Sequence, residues 1–194
     1  MPIPDALMNF EGYGGRGRIM FIGIEERRRG ADPNHLEARL TFPARIDLRE
    51  ACDRIFGPDW WGEPVHQRNV PVWSIAAEFL AELWGVYYEG RTLLIRDRVL
   101  GRTGGETLLS ELLPVPLPES GVWGPDEIEM TGQRYYPDYR TEMLGYRAGV
   151  GPRTELLRRV IRDDAPEYVF CYGISHLNHF KRLFPDLRLS VCRR

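Results

Sequence analysis

The chain has 194 residues, enough for one ordinary domain with one core and too few for two comfortable ones. Hydrophobic residues make up 43% and charged residues 28%, which excludes the composition of a disordered chain; no run approaches the roughly 20 apolar residues of a membrane helix. The formal net charge is −2, so the basic surplus that usually accompanies nucleic-acid binding is missing.

Of the 26 basic residues 25 are arginine, Lys181 being the one lysine. Arginine forks suit phosphates and base edges, although a high-GC coding bias produces the same composition. The opening segment lacks the basic and apolar regions of a leader peptide. Cys52, Cys171 and Cys192 form no paired framework, so a reducing cytoplasm is the expected compartment.

In chain order, the first strong signal is Ile19–Ile24, an apolar run that reads as a strand buried on both faces of a parallel sheet. The glycine-rich stretch 12–17 precedes that strand rather than following it, so it is not a nucleotide-binding loop. Helices are expected near His35–Leu40 and over Asp47–Phe56, the second opened by Asp47. A longer one spans Pro71–Trp84, where Val72, Ile75, Ala76, Phe79, Leu80 and Leu83 recur at helical spacing. A second buried strand, Thr107–Leu113, should be stopped by Pro114, Pro116 and Pro118. Residues 119–150 read as a long excursion with little regular structure. A helix over 153–162, a strand at Tyr168–Tyr172, a helix at Ser175–Leu183 and a strand at Leu187–Val191 close the chain. This alternation predicts a single domain over residues 1–194, three-layer α/β/α with a central, mostly parallel four-stranded sheet. Ligands of such sheets lie at the carboxyl ends of the strands, here after Ile24, Leu113 and Tyr172.

Three segments carry a family resemblance. Gly23-Ile24-Glu25-Glu26 closes the first strand; Leu108-Leu109-Ser110-Glu111-Leu112-Leu113 runs into Pro114-Val115-Pro116-Leu117-Pro118; and Tyr168–Gly173 is a strand with a glycine turn before a helix. Together they resemble the ordered motifs of the uracil-DNA glycosylase superfamily. The resemblance implies that Glu25 stands where the family keeps the acid or amide that activates water, and Glu111 where an Asn reads the flipped base. Two features depart from the family pattern. Glu26 replaces the Pro after the first-motif residue, and no histidine follows the last expected strand. His176 and His179 are the possible substitutes for that histidine.

The residue chemistry sharpens this expectation. Base excision passes through an electron-poor sugar and an anionic leaving base, so a carboxylate beside the sugar orients water and offsets positive charge. Glu25 suits that role; its neighbour Glu26 could share it but is better explained as a solvated loop acid paired with Arg27–Arg29. An ionised Glu only accepts hydrogen bonds, so Glu111 mismatches the uracil 4-oxygen and suits an exocyclic amino group of a cytosine-type base. Pairing of Glu111 with an arginine is the structural alternative. Phe56, Trp60, Trp61, Tyr135 and Tyr136 are candidate stacking faces for a flipped base, or simply core. Arg27, Arg28, Arg134, Arg140 and Arg153 are candidate phosphate contacts. Cys171, His176 and His179 lack a fourth ligand at metal spacing, and neither metal nor other cofactor is expected.

The leading expectation is therefore a DNA glycosylase, a hydrolase that releases a modified, cytosine-type base from DNA. Glu25 would act on water, Glu111 on the base and His176 on the leaving group. Sparing ordinary cytosine requires recognition of a substituent, as on modified phage DNA, which points to defence. The alternatives are a conventional glycosylase for uracil or another deaminated base, and a binding module on the same fold that has lost the chemistry.

Overall fold

The structure, a computed structural model, describes residues 3–27, 33–58, 60, 71–117, 125–145, 150–173 and 176–185; for residues 24–27, 33–34, 117, 126 and 130 it describes the backbone alone. In chain order the elements are α1 (Asp5–Met8), β1 (Gly12–Gly14), β2 (Ile19–Arg27), α2 (Pro33–Leu40), β3 (Arg45–Ile46), α3 (Leu48–Phe56), α4 (Pro71–Leu83) and α5 (Arg91–Arg98). They continue with β4 (Thr107–Leu117), α6 (Pro125–Thr131), α7 (Tyr136–Leu144), α8 (Pro152–Asp164), β5 (Tyr168–Cys171) and α9 (Leu177–Leu183).

The sheet among the described residues has five strands in the order β3-β1-β4-β2-β5. The neighbours β4, β2 and β5 are mutually parallel, while β1 runs antiparallel to β4 and parallel to β3. Alternation along the central strand divides the core in two. Met20 and Ile22 enter a cluster with Tyr139, Leu157, Val160 and Phe180 of α7, α8 and α9. Ile19 and Phe21 enter another with Ile55, Ala77, Leu80 and Ile95 of α3, α4 and α5. Each fully buried aliphatic side chain contributes about 1.5–3 kcal/mol, so a strand apolar on both faces holds a helical layer on either side. The domain is three-layer α/β/α with a mostly parallel sheet, as the alternation of elements implies. No helix of the described residues is long and apolar enough to cross a membrane.

Three expectations change. Among the described residues the sheet has two strands that were not expected, β1 and β3, and β1 is the glycine-rich stretch itself. A Cβ at Gly12 or Gly14 would collide with the Leu109 and Thr107 carbonyl oxygens of β4, so only glycine admits this close approach. Pro114 and Pro116 do not stop β4, which runs to Leu117. The stretch 119–150 is not structureless where described, since it holds α6 and α7. Pro at the start of each helix fits their first turns. The helix α5 carries no clear sequence period and was not expected. The strand expected at Leu187–Val191 and Cys192 lie outside the described residues.

Candidate functional site

The carboxyl ends of β4, β2 and β5 share one edge of the sheet. In the β2–β4 ladder Gly23 pairs with Glu111 and Glu25 with Leu113. A strand rise of about 3.3 Å and a spacing of about 4.8 Å then place the Glu25 and Glu111 Cα atoms about 8 Å apart. The Glu25, Glu26 and Arg27 side chains, and Arg28 altogether, lie outside the described residues. The backbone places the first three at the last positions of β2.

Glu111 is 8% exposed and held from two sides. Its carboxylate lies 3.9 Å from Nη2 of Arg39, and its backbone oxygen accepts from Nε and Nη2 of Arg153 at 3.0 and 2.7 Å. Arg39, 1% exposed, sits 4.0 Å from the Phe10 ring centroid and donates to Tyr13 Oη and the Pro114 carbonyl, both at 3.1 Å. A buried guanidinium needs such acceptors and an opposite charge, because stripping it of water costs several kcal/mol. The arginine pairing foreseen for Glu111 is thus present. It occurs inside the protein, with both residues buried.

Beside this pair, Tyr172 at the end of β5 covers Gly23: a Cβ there would come within 2.5 Å of Tyr172 Cζ. The chain then reaches His176 and His179, whose ring centroids are 5.7 Å apart. Burial, followed by the positive charges of Arg182, His176 and Arg140, lowers the His179 pKa to about 4, leaving it neutral at physiological pH. On α7 the Arg140 guanidinium lies 5.9 Å from the Tyr136 ring centroid. The same helix sends Tyr139 Oη to accept the Val115 N–H of β4 at 3.1 Å. The fold therefore brings three of the expected site residues, His176, Arg140 and Tyr136, together around His179 on the α7–α9 side, whereas the Arg39 that faces Glu111 lies among Phe10, Tyr13 and Phe42 of the other core cluster. Burial pushes the Cys171 thiol up to about 12, which removes it as a nucleophile at neutral pH. Cys171, His176 and His179 belong to no cluster of three potential metal ligands among the described residues.

Other expected residues take different roles. Phe56 and Trp60 stack on each other at 4.6 Å and pack against the α3–α4 core, with Trp73 edge-on to Trp60 and His35 edge-on to Phe56. Core packing accounts for both. Arg134 is exposed, 5.9 Å from the Tyr135 ring. Arg153 is not a surface residue: at 0% exposure it donates to Phe10 O, Glu111 O and Ser110 Oγ, tying α8 to β4 and the loop before β1. No phosphate reaches it there. The open grooves around Arg159 and Arg162 on α8, and around Asp53 and Arg102 at the amino end of β4, lie apart from the strand carboxyl ends.

Sequence reasoning missed Arg39 and Tyr172. Arg39 is one of 25 arginines and carries no local mark, since its role depends on Phe10, Tyr13 and Glu111, all distant from it in the chain. No known protein family, curated protein or solved structure matches this chain.

Proposed function

We propose that this chain is a DNA glycosylase that hydrolyses the N-glycosidic bond of a modified, cytosine-type base, a chemistry suited to defence against modified phage DNA. The observation that carries the reading is the β2–β4 register: it sets the Cα atoms of two acidic residues about 8 Å apart on adjacent parallel strands, Glu25 near the carboxyl end of β2 and Glu111 within β4.

In this reading Glu25 orients a water whose oxygen attacks C1′ as the bond from C1′ to the base breaks. Its negative charge stabilises the oxocarbenium-like sugar. The electron pair of the broken bond leaves with the base, and His176 or solvent supplies the proton. Glu111, facing the positive charge of Arg39, accepts from the exocyclic amino group, which uracil lacks. Tyr136 offers a ring face and Arg140 a phosphate contact. The Glu111–Arg39 pair also supports a second reading, a nucleic-acid-binding module whose acid on β4 is committed to structure.

Mass spectrometry of released bases separates these readings. The protein is incubated with DNA containing hydroxymethylated or glucosylated cytosine, uracil or unmodified bases. The expected result is release of a modified cytosine alone, reduced about 100-fold or more in Glu25→Gln. In Glu111→Gln, discrimination against uracil should fall, provided thermal melting shows the variant folded. Uracil release by the wild type would establish the conventional activity. No release from any DNA would leave the binding module.

A further inference from the structure

Twelve large apolar side chains are exposed among the described residues, and six of them fall in one twenty-residue stretch: Ile75, Trp84, Tyr87, Tyr88, Leu93 and Leu94. This stretch covers α4, α5 and their connection. Glu82 near the end of α4 bonds Arg91 at the start of α5 at 2.9 Å, and the Arg91 guanidinium lies 5.4 Å from the Tyr87 ring. One turn beyond Arg91 comes Leu94, 43% exposed; back along α4 from Glu82 come Glu78 and then Ile75, 63% exposed. On the other flank Trp84 and Arg98 line one groove. Of α5, only Ile95 and Arg96 are turned inward, while Leu93 and Leu94 face water. A surface helix with no partner carries polar residues at such positions.

We infer that the α4–α5 hairpin is the interface of a homodimer, two copies packing hairpin to hairpin about a twofold axis. A twofold interface must be complementary to itself. Around the apolar patch the exposed charges without an ion pair among the described residues are of both signs, Glu78 and Glu89 against Arg98. The acid of α4 in one copy can therefore meet the arginine of α5 in the other, whereas a partner of one charge sign would leave half of this rim repelled. The composition, rich in Tyr and Trp with Leu, is that of an interface centre. The exposed share of these six side chains is on the order of 600 Å² per copy, slightly below the roughly 800 Å² per partner of a standard interface. Area alone does not fix affinity; the dimer inferred is one at the weak, micromolar end of the range that small interfaces occupy. The hairpin packs on the α3–α4 side of the sheet, so the inference does not depend on the enzymatic reading.

Sedimentation equilibrium of the full chain from about 1 to about 100 µM spans such an affinity. The wild type is expected to pass from monomer to dimer across that range. Tyr87→Glu and Leu94→Glu should each weaken association at least about 10-fold with unchanged circular dichroism. Arg98→Glu should also weaken it, and Glu78→Arg in the same chain should restore it. A wild type that stays monomeric throughout, whatever else it binds, overturns the inference. So does a dimer unaffected by both apolar substitutions, or a double charge variant no tighter than Arg98→Glu.

Discussion

Arg153 illustrates how a side chain's environment decides its role. In sequence it follows the long excursion and looks like one more arginine able to meet a phosphate. In the fold it is wholly buried, and its guanidinium serves the carbonyl oxygens of Phe10 and Glu111. Desolvation, opposed mainly by the charge of Glu111, lowers its pKa to about 10, still far above neutrality, so the group remains charged. Replacing Arg153 with Met removes the donors but leaves two buried acceptors unmet, each costing about 1–3 kcal/mol. Denaturant unfolding of Arg153→Met should show a loss of about 3 kcal/mol; a loss below about 1 kcal/mol would mean that the guanidinium is solvated. Glu111 was legible as an acid on a buried strand because alternation is a local property, whereas the strand's length was not, since β4 runs on to Leu117. Its partner Arg39 was not, because the rings of Phe10 and Tyr13 that meet it come from a segment well before it in the chain.

Strand β4 shows where local punctuation misleads. Pro114 and Pro116 have no N–H, so a ladder that needs donors should end there. It continues because side chains take over part of the bonding. The Val115 N–H between the two prolines goes to Tyr139 Oη, and the Pro114 carbonyl is bound by Arg39. The missing donors coincide with an irregularity in the ladder: Glu25 pairs with Leu113, yet Arg27 pairs with Leu117. The same substitution of partners explains why α7 formed in a stretch read as structureless, for Tyr139 is 0% exposed and anchors it to the strand. Tyr139→Phe keeps the ring and deletes the acceptor, leaving the buried Val115 N–H unmatched. Stability should fall by about 1–2 kcal/mol, and the Val115 amide should lose hydrogen-exchange protection before its neighbours at Leu112 and Leu113. Equal protection in both proteins would show that the proline-bearing segment is held by something other than α7.

At the scale of the whole molecule, the layer order was legible because β2 is apolar on both faces and the strands alternate with amphipathic helices. The joining of separated segments at the strand ends was not, since proximity across the sheet has no local signal. Charge belongs to this scale as well. With a net charge of −2, a DNA complex must rest on a few local cations rather than on a general positive field. Arg134 precedes α7 and Arg140 lies on it, while Arg153 is buried and the groove with Arg159 and Arg162 lies elsewhere. Each phosphate neutralised on a duplex contributes about −0.9 to the slope of log K against log salt. Two or three such contacts give a total of about −2 to −3, shallow for a DNA-binding protein. Fluorescence anisotropy across a salt series should find that slope, and Arg134→Gln or Arg140→Gln should each reduce it by about 1. Arg153→Met should leave the slope unchanged in whatever fraction stays folded, because a cation sealed under β4 releases no counterion when DNA arrives. A much steeper slope, insensitive to Arg134 and Arg140, would move the nucleic-acid surface away from the strand ends and remove the basis for placing a flipped base between Glu25 and Glu111.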